Sequence, residues 1–406
     1  MTSQPANQGL NRILVAGASV RWAAQSARRA GYSVSGIDLF GDTDTRAACD
    51  HFQLLDVSGD SPENAADQQI ASFSAQTGAA VISVGGLSLG PYLKGGHRPR
   101  PKDPTWKRLQ QFSRQTGFEF PETFSGFVDN KSHAIGQITW GRWLFKTIGS
   151  TGGFGVRFVD AETLVRDPHA FAGNGIFQRY VPGRRYGVVA LASDDGTEIL
   201  GICRSLHQRL GDRPFVYAGS AGPIAIATES KSSDPSTDIP IQRLQRLAFR
   251  VAESENIRGL FNLDFVRDTE DRWWLLEVNA RPSGSCEVIE QAAIRSGVLS
   301  DGQSLIQMHL NAINGNPRVI PWRSSHDTLV KRIVYSSHAG YFVRPSELCD
   351  SAQLLDVPSD GTPIQAGAPV ATLLLRTERG STPEVEQNFP PMRSLVRQVQ
   401  AAVQLG

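Results

Sequence analysis

Three polar side chains at alternate positions follow an apolar stretch late in the chain. Glu277, Asn279 and Arg281 come directly after the sequence Trp-Trp-Leu-Leu at 273–276. Alternate side chains of an extended strand share one face, so these three are expected to point the same way. A carboxylate beside a neutral oxygen donor is how proteins hold a hard cation such as Mg²⁺, and a nearby guanidinium suits a phosphoryl group in transit. The pattern predicts a magnesium-dependent site that acts on phosphate.

A second carboxylate precedes this segment. Asp264 lies in Asn-Leu-Asp-Phe-Val at 262–266, and the short stretch 267–272 is expected to join the two segments as a hairpin. The hairpin would place Asp264 beside Glu277 and Asn279. The alternative is a half-buried edge strand with a polar outer face, which a lone Glu-x-Asn does not exclude. Asp264, Arg281 and a glycine-rich loop upstream together favour the metal site.

That glycine-rich loop begins where an apolar strand ends in Lys146. Four glycines follow between positions 149 and 155, and residues 156–159 are predicted to form a returning strand. Glycine lets backbone N–H groups approach an anion closely, and Lys146 adds a positive charge. In a Walker A loop the lysine follows the glycines and a helix comes next, so this segment is interpreted as a hairpin lid over phosphates. An ordinary turn with a solvated strand-end lysine is the alternative.

Between these two features, residues 176–189 contain two apolar strands around a Pro-Gly turn. Such a segment can offer backbone groups to a purine while Gln178 hydrogen-bonds the edge of the base. Taken alone, it is only a hairpin.

Read in order, these motifs resemble the ATP-grasp superfamily, and in particular its carboxylate–amine ligases and predicted ATP-dependent carboligase branch. The resemblance covers about residues 10 to 380 of the chain. It implies a mixed α/β and α+β fold: a Rossmann-like (pre-ATP-grasp) N-terminal domain at 1–100, a two-lobed ATP-grasp domain at 101–316 and a small C-terminal β-rich region at 317–406. The glycine lid would span 147–156 and the metal strands 260–285.

The resemblance also assigns roles to single residues. Arg281 would stabilise the transferred phosphoryl group and the acyl phosphate. Magnesium, or manganese, would be held by Asp264, Glu277 and Asn279. ATP would be bound by Lys146, Gly152, Gly153, Phe154, Gly155, Gln178, Tyr180 and Val181. Weaker candidates for substrate contacts are Arg185, Arg209, Ser283 and Ser285.

The chain departs from the family pattern at three positions. Gln178 stands where many members have glutamate, which alters the adenine contact. Arg185 stands where a glutamate usually holds the ribose, so Arg185 is either a substitute there or a contact for an anionic substrate. Lys107 lies near the place of a second nucleotide lysine, but one residue out of register.

Several arginines also cluster in the sequence. Arg184, Arg185, Arg204 and Arg209, with His207, make a local cationic excess that is either a solvated face or a pocket for substrate carboxylates.

The N-terminal third alternates predicted strands and helices, which is typical of a parallel α/β domain. The expected strands are 12–16, 33–37 and 79–84, and the expected helices are 21–30 and 65–77. Trp22 would block the approach of a pyrophosphate, so Asp38 is interpreted as a strand-end acid instead of a ribose ligand. Residues 94–104 have the composition of a solvated linker.

Composition bounds the class of protein. The 406 residues are 40% hydrophobic, and the net charge of +1 gives no field that would attract nucleic acid or an acidic membrane. No apolar run approaches the roughly 20 residues of a membrane helix, and the first residues lack the pattern of a signal peptide. The four cysteines lie far apart, so reduced thiols and a cytoplasmic location are expected.

The expected activity is an ATP-dependent, ADP-forming carbon–nitrogen ligase. A carboxylate would be activated as an acyl phosphate and attacked by an amine, and the carboligase branch is associated with cofactor-building steps that add amino acids such as glutamate. The alternatives are a carboxylase-like or phosphorylating ATP-grasp enzyme and a non-catalytic ATP-binding regulator. The expected partners are small-molecule substrates, without nucleic acid or membrane, in a possible homo-oligomer. The sequence identifies neither the donor nor the acceptor.

Overall fold

A computed structural model describes residues 12–57, 62–85, 103–125, 138, 141–166, 171, 174–224, 240–316, 320, 322, 327–345, 352–376 and 390–404. The helices are α1 Arg21–Arg29, α2 Thr43–Ala47, α3 Pro62–Thr77, α4 Trp106–Thr116, α5 Ala161–Arg166, α6 Ile241–Ser254, α7 Ser285–Arg295, α8 Leu305–Ile313 and α9 Pro390–Ala401. The strands are β1 Arg12–Ala16, β2 Ser33–Asp38, β3 His51–Leu54, β4 Ala80–Ser83, β5 Thr123–Ser125, β6 Trp143–Thr147, β7 Val156–Val159, β8 Gly175–Arg179, β9 Arg184–Ser193, β10 Gly196–Leu210, β11 Arg213–Gly222, β12 Gly259–Arg267, β13 Trp273–Asn279, β14 Leu329–Tyr335, β15 Gly340–Phe342, β16 Ala352–Leu355, β17 Pro363–Ile364, β18 Pro369–Arg376 and β19 Val403–Gln404.

The N-terminal region is a parallel sheet in the order β3-β2-β1-β4, which confirms the predicted α/β pattern. Four of the five β1 residues are buried, as expected for a central parallel strand covered on both faces. Asp38 ends β2, and its carboxylate accepts hydrogen bonds from the backbone N–H groups of Val20, Phe40 and Gly41. These bonds support its interpretation as a strand-end acid.

An eight-stranded sheet forms the centre of the molecule, in the order β13-β12-β9-β10-β11-β14-β18-β16. One face packs against α4 and α6 through side chains such as Phe112, Leu247 and Phe261. The other face packs against α7 and α8, where Val189 and Leu260 are fully buried. Hydrophobic burial on both faces is what fixes the sheet between its helices.

The C-terminal strands divide between two sheets. β14 pairs with β11, and β18 and β16 follow it, so these C-terminal strands extend the central sheet. β15, β17 and β19 make a small sheet of their own. Helix α9 covers this region by burying Met392, Leu395 and Val399, whose spacing places them on one helical face. The domain boundary placed at 316/317 in the sequence therefore crosses a continuous sheet.

A smaller antiparallel sheet, in the order β5-β8-β6-β7, carries the glycine-rich hairpin. Its outer face has an aromatic core in which Phe124 stacks on Phe177 and contacts Trp143 edge-on. Strand β7 begins and ends where the sequence predicts the returning strand.

A buried ionic junction joins the N-terminal and C-terminal regions to α7. Arg21 of α1 pairs with Glu287 at 2.7 Å and with Asp356 at 2.8 Å, and Lys331 of β14 pairs with Glu287 at 2.6 Å. Arg21 and Glu287 are both about 1% exposed. We call these four residues the charge junction.

Among the described residues, no helix is long and apolar enough to cross a membrane. Cys49, Cys203 and Cys286 are free thiols, and Cys349 lies outside the described residues.

Candidate active site

The β12–β13 hairpin brings the predicted metal residues together. Asp264 lies opposite Glu277, and Asn262 lies opposite Asn279, in antiparallel register. Phe265 pairs with Leu275, so Leu276 is an extra residue that forms a β-bulge. Leu275 and Val278 both face the α4–α6 core. The bulge thus reverses the alternation, which turns Glu277 and Asn279 away from the core and onto the face of Asp264.

Amide groups bridge the two carboxylates. Nδ2 of Asn279 donates to Oδ2 of Asp264 and to Oε1 of Glu277, both at 3.0 Å. Nδ2 of Asn262 donates to Oδ1 of Asp264 at 2.7 Å. Asn262 is a site residue that the sequence analysis missed, although its position two residues before Asp264 places it on the same strand face.

The two carboxylates influence each other strongly. Burial, followed by the charge of Glu277, raises the pKa of Asp264. Burial also tends to raise the pKa of Glu277, but Lys146 and the Asn279 amide more than offset this, so that pKa is lowered. Two carboxylates in one low-dielectric site repel each other until a cation or a proton lies between them.

Arg281 is held beside this pair by a residue from the predicted linker. Its Nη1 lies 3.3 Å from Oδ2 of Asp103, and the backbone N–H of Ala280 donates to Oδ1 of Asp103 at 2.7 Å. Asp103 therefore fixes both the backbone and the side chain at the end of β13. The linker prediction omitted this contact, and residues 94–102 of that segment lie outside the described residues.

The opposite side of the cleft carries Lys146 at the end of β6. Lys146 pairs with Ile176 and Leu144 pairs with Gln178, so Lys146 and Gln178 share one face of the small sheet. Burial lowers the pKa of Lys146, while the negative charges of Glu277 and Asp264 act in the opposite sense. Lys146 is therefore close enough to the carboxylate pair for their charges to interact. Gln178 is buried, and its Nε2 donates to Oγ1 of Thr123.

The glycine-rich loop lies against the central sheet. The backbone N–H of Tyr217 on β11 donates to the carbonyl of Gly152 at 2.9 Å. Gly153 has φ +78° and lies so close to the carbonyl of Phe215 that a Cβ would overlap it. The guanidinium of Arg213 lies over the ring of Phe154. Only glycine permits both the positive φ and this approach, so the loop packs closely onto β11.

Aromatic rings line the inner end of the loop. Tyr180 stacks on Phe215 with ring centroids 5.7 Å apart, and Phe158 packs edge-on against both. The guanidinium of Arg185 lies 4.1 Å from the centroid of Phe215. Arg185 is therefore fixed where the lid meets the central sheet.

Arg185, Arg204 and His207 line a cavity of about 700 Å³. Burial, followed by the charge of Arg185, lowers the pKa of His207 to about 3. Arg209 is not among the residues that line this cavity, because its Nε donates to the carbonyl of Gly211 at the exposed strand end. Of the arginines in the predicted cluster, Arg185 and Arg204 line the cavity, whereas Arg184 and Arg209 are not among its lining residues.

The serines after β13 make hydrogen bonds within the protein. Oγ of Ser283 donates to Oδ1 of Asn262 at 3.2 Å, which supports the metal strands. Oγ of Ser285 lies 2.8 Å from Oγ of Ser220, which in turn contacts the hydroxyl of Tyr217. The exposed Lys107 lies with its ammonium over the ring of Trp106.

The donor set fits a hard cation that is shared with a ligand. Among the described residues, no group of three or more His, Cys, Asp or Glu side chains could hold a metal ion by itself. Asp264 and Glu277 supply two carboxylates, and rotation of the Asn279 amide would present its oxygen in place of its nitrogen. A hard cation bound mainly by two carboxylates and by phosphate oxygens is the usual arrangement for Mg²⁺.

Comparison with known proteins agrees with this geometry. Residues 105–285 match a family model described as an ATP-grasp domain. This range contains the lid, the β12–β13 hairpin and Arg281. No curated protein matches the chain.

Solved structures match nearly the whole chain. N5-carboxyaminoimidazole synthetase from Staphylococcus aureus, complexed with ADP, has a TM-score of 0.64 at 14% identity and covers 95% of this chain and 97% of its own. The biotin carboxylase domain of Hydrogenobacter thermophilus 2-oxoglutarate carboxylase has a TM-score of 0.63 at 14% identity, with 91% and 86% covered. L-amino acid ligase from Bacillus licheniformis has a TM-score of 0.59 at 13% identity, with 98% and 99% covered. At these identities the likeness is one of fold, and the mixed α/β architecture expected from the sequence is confirmed.

Proposed function

From the match of residues 105–285 to an ATP-grasp domain model, we propose that the enzyme is an ADP-forming ligase that joins a carboxylate to an amine. The observation that carries the proposal is the cleft itself. Lys146 faces the Asp264–Glu277 pair across it, and the glycine-rich loop lies over it. Such a cleft suits a nucleoside triphosphate whose γ-phosphate lies next to a second substrate.

The proposed reaction has two steps. A carboxylate oxygen attacks the γ-phosphorus of ATP, the bond to the bridging oxygen breaks, and ADP leaves. An amine nitrogen then attacks the carbonyl carbon of the acyl phosphate, loses a proton, and inorganic phosphate leaves. Phosphorylation converts a poor leaving group into a good one, so the protein mainly positions reactants and neutralises charge.

Each element of the cleft has a separate task in this scheme. Asp264, Glu277 and Asn279 would hold Mg²⁺, which neutralises charge on the phosphates when bound. Lys146 binds phosphate oxygens, and Arg281 stabilises the negative charge of the phosphoryl group in transit. Asp103 keeps Arg281 in place through its 3.3 Å contact. The loop at 152–155 excludes water from the acyl phosphate.

The adenine would lie against the small sheet. Gln178 lies on the same side of that sheet as Lys146, and Tyr180 and Val181 follow directly after β8. The N–H of Tyr180 donates to the carbonyl of Arg142 at 2.8 Å, so the base would meet the carbonyl of Tyr180 and the backbone of Val181. Titration of the Gln178→Ala variant with ADP tests this placement, because the variant is expected to bind ADP more weakly.

The decisive experiment is a measurement of ADP release with Mg²⁺ across a panel of carboxylates and amines. The expected result is release that requires both one carboxylate and one amine, and that disappears in the Glu277→Gln variant. Release with bicarbonate alone would favour the carboxylase-like alternative. Binding of magnesium ATP without turnover across the panel would contradict the ligase proposal and favour a regulator.

A further inference from the structure

Beyond the nucleotide cleft, the cavity next to it has an unusual charge. Among the described residues, five arginines line it: Arg185, Arg204, Arg332, Arg393 and Arg397. No aspartate or glutamate occurs among the described residues of its lining. Its volume of about 700 Å³ lies within the range of small-molecule sites, about 300–1,000 Å³.

The arginines come from three distant parts of the chain. Arg185 and Arg204 lie on β9 and β10, and Arg332 lies on β14, where its neighbour in the register is Gly219. Arg393 and Arg397 lie four residues apart on α9, which places them on one face of that helix. The same helix buries Met392, so its anchoring in the core fixes where the two guanidinium groups project.

Two arginines of this cavity make contacts to uncharged groups. Nη2 of Arg332 donates to the amide oxygen of Gln208 at 2.7 Å, which is a neutral acceptor. Arg185 lies over the ring of Phe215. Burial lowers the pKa of both Arg185 and Arg332, because desolvation disfavours a charged group.

The cavity also lies beside the reacting end of the cleft. Arg185 acts electrostatically on Lys146 in the cleft and on His207 in the cavity, and His207 in turn senses Glu277. A ligand in the cavity would therefore reach towards the phosphates of a nucleotide bound in the cleft.

We propose that this cavity binds the non-nucleotide substrate as a polyanion with at least two carboxylate or phosphate groups, and that α9 supplies its outer wall. Guanidinium groups pair with both kinds of anion in bidentate geometry, and those on β9, β10, β14 and α9 around one cavity can contact more than one anionic group of the same ligand. One end of the polyanion meets Arg185 near the phosphates, and the other meets Arg393 and Arg397. This inference rests on the proposed function, and it names the class of substrate.

The test is direct binding, measured by calorimetry at fixed ionic strength without nucleotide. The probes are tricarballylate with three carboxylates, glycerol 2-phosphate with one phosphate, 3-phosphoglycerate with both groups, and butyrate as the single-charge control. The protein is expected to bind at least one polyanion and not butyrate. A preference among the first three probes distinguishes carboxylate from phosphate recognition. Binding of none of them overturns the proposal.

The double variant Arg393→Gln/Arg397→Gln examines the role of α9. Both side chains are exposed, so folding is expected to be retained. Loss of two partly exposed ion pairs predicts a weakening of polyanion binding by about tenfold. The matched control is Arg246→Gln/Arg250→Gln, an exposed pair with the same spacing on α6, which is expected to bind the probes like the wild type. Equal binding by the two double variants would contradict the proposal.

Measurements with nucleotide distinguish the ligase proposal from the polyanion-site proposal. Affinity for magnesium ADP is expected to be unchanged in Arg393→Gln/Arg397→Gln, while the KM for the polyanion in ADP release rises about tenfold. ADP release with an unchanged KM would leave the ligase proposal standing and reject the polyanion site. Polyanion binding without any ADP release would support the polyanion site and reject the ligase proposal.

Discussion

Glu277 of the cleft and Glu287 of the charge junction lie close together in the chain, yet their surroundings differ. Glu287 of the junction contacts both Arg21 and Lys331 within 2.7 Å. Asp264 and Glu277 of the cleft contact amide groups, and Lys146 reaches them only from across the cleft. In the charge junction the protein pairs Glu287 with its own cations, whereas in the cleft the two carboxylates have no such direct cation contacts among the described residues.

This difference separates a structural charge cluster from a functional one. Burial tends to raise the pKa of Glu287, but Arg21 and Lys331 more than offset it, so the pKa is lowered. The pKa of Asp264 is raised because burial and Glu277 act in the same direction. Buried charges that the fold does not pair are where a ligand or cation is expected.

The largest expected effect is on catalysis at the cleft. Asp264→Asn should lower kcat for ADP release by about 10²–10³-fold, because it removes charge that acts on the transferred phosphate. Thermal stability without Mg²⁺ should be equal or higher, because one of two repelling carboxylates is gone. Rates of ADP release check the first statement, and melting curves with and without magnesium ADP check the second. A lower melting temperature without Mg²⁺ would show that the cleft pair is structural.

The junction should respond in the opposite way. Glu287→Gln leaves Arg21 and Lys331 with less negative charge in a buried site, and is expected to cost about 3 kcal/mol of unfolding free energy. Denaturant titration measures the loss, and the exposed pair Arg28–Asp50 serves as control, since its removal costs at most about 1 kcal/mol. Full stability of Glu287→Gln would abolish the contrast between the two clusters.

A carboxylate beside the junction gives a prediction about pH. Burial, followed by the charge of Asp356, raises the pKa of Asp42 to about 8. The folded state therefore holds a proton that the unfolded state releases above its own pKa, and stability falls as pH rises from about 4 to 8. Asp42→Asn should be more stable than the wild type at pH 7 by on the order of 2 kcal/mol, with no difference near pH 4. Parallel pH profiles of the two proteins would contradict this.

The smallest expected effect on catalysis is in the glycine-rich loop, where Gly152 and Gly153 give a matched pair of variants. Gly152 and Gly153 both have positive φ, so alanine at either position carries a similar backbone cost. A Cβ at Gly152 meets only the ring of Phe154 at an ordinary distance, whereas one at Gly153 overlaps the carbonyl of Phe215. Gly153→Ala should lower kcat/KM for ATP about tenfold more than Gly152→Ala does. Equal values would show that the contact with β11 does not matter for closure.

Local patterns in the sequence predicted much of this architecture. The helix predicted at 21–30, the returning strand at 156–159 and the hairpin around 267–272 depend on neighbours in the chain, and the structure confirms them. The position of Asp103 could not be predicted in this way, because its partner Ala280 lies 177 residues away. The same holds for Arg393 and Arg397, which reach the cavity only because the C-terminal strands join the central sheet. Asn262 is different, since its spacing from Asp264 was visible in the sequence.

The extra residue Leu276 exchanges the two faces of β13 for every residue that follows it. Strict alternation from Leu275 would turn Glu277 and Asn279 into the apolar layer and present Val278 and Ala280 to the nucleotide. The extra residue shifts the alternation of side chains by one position and does not change the identity of any of them. Deleting Leu276 would therefore exchange the two faces of the strand end at once, which no single substitution can do. The site depends on the number of residues in β13 as much as on their chemistry.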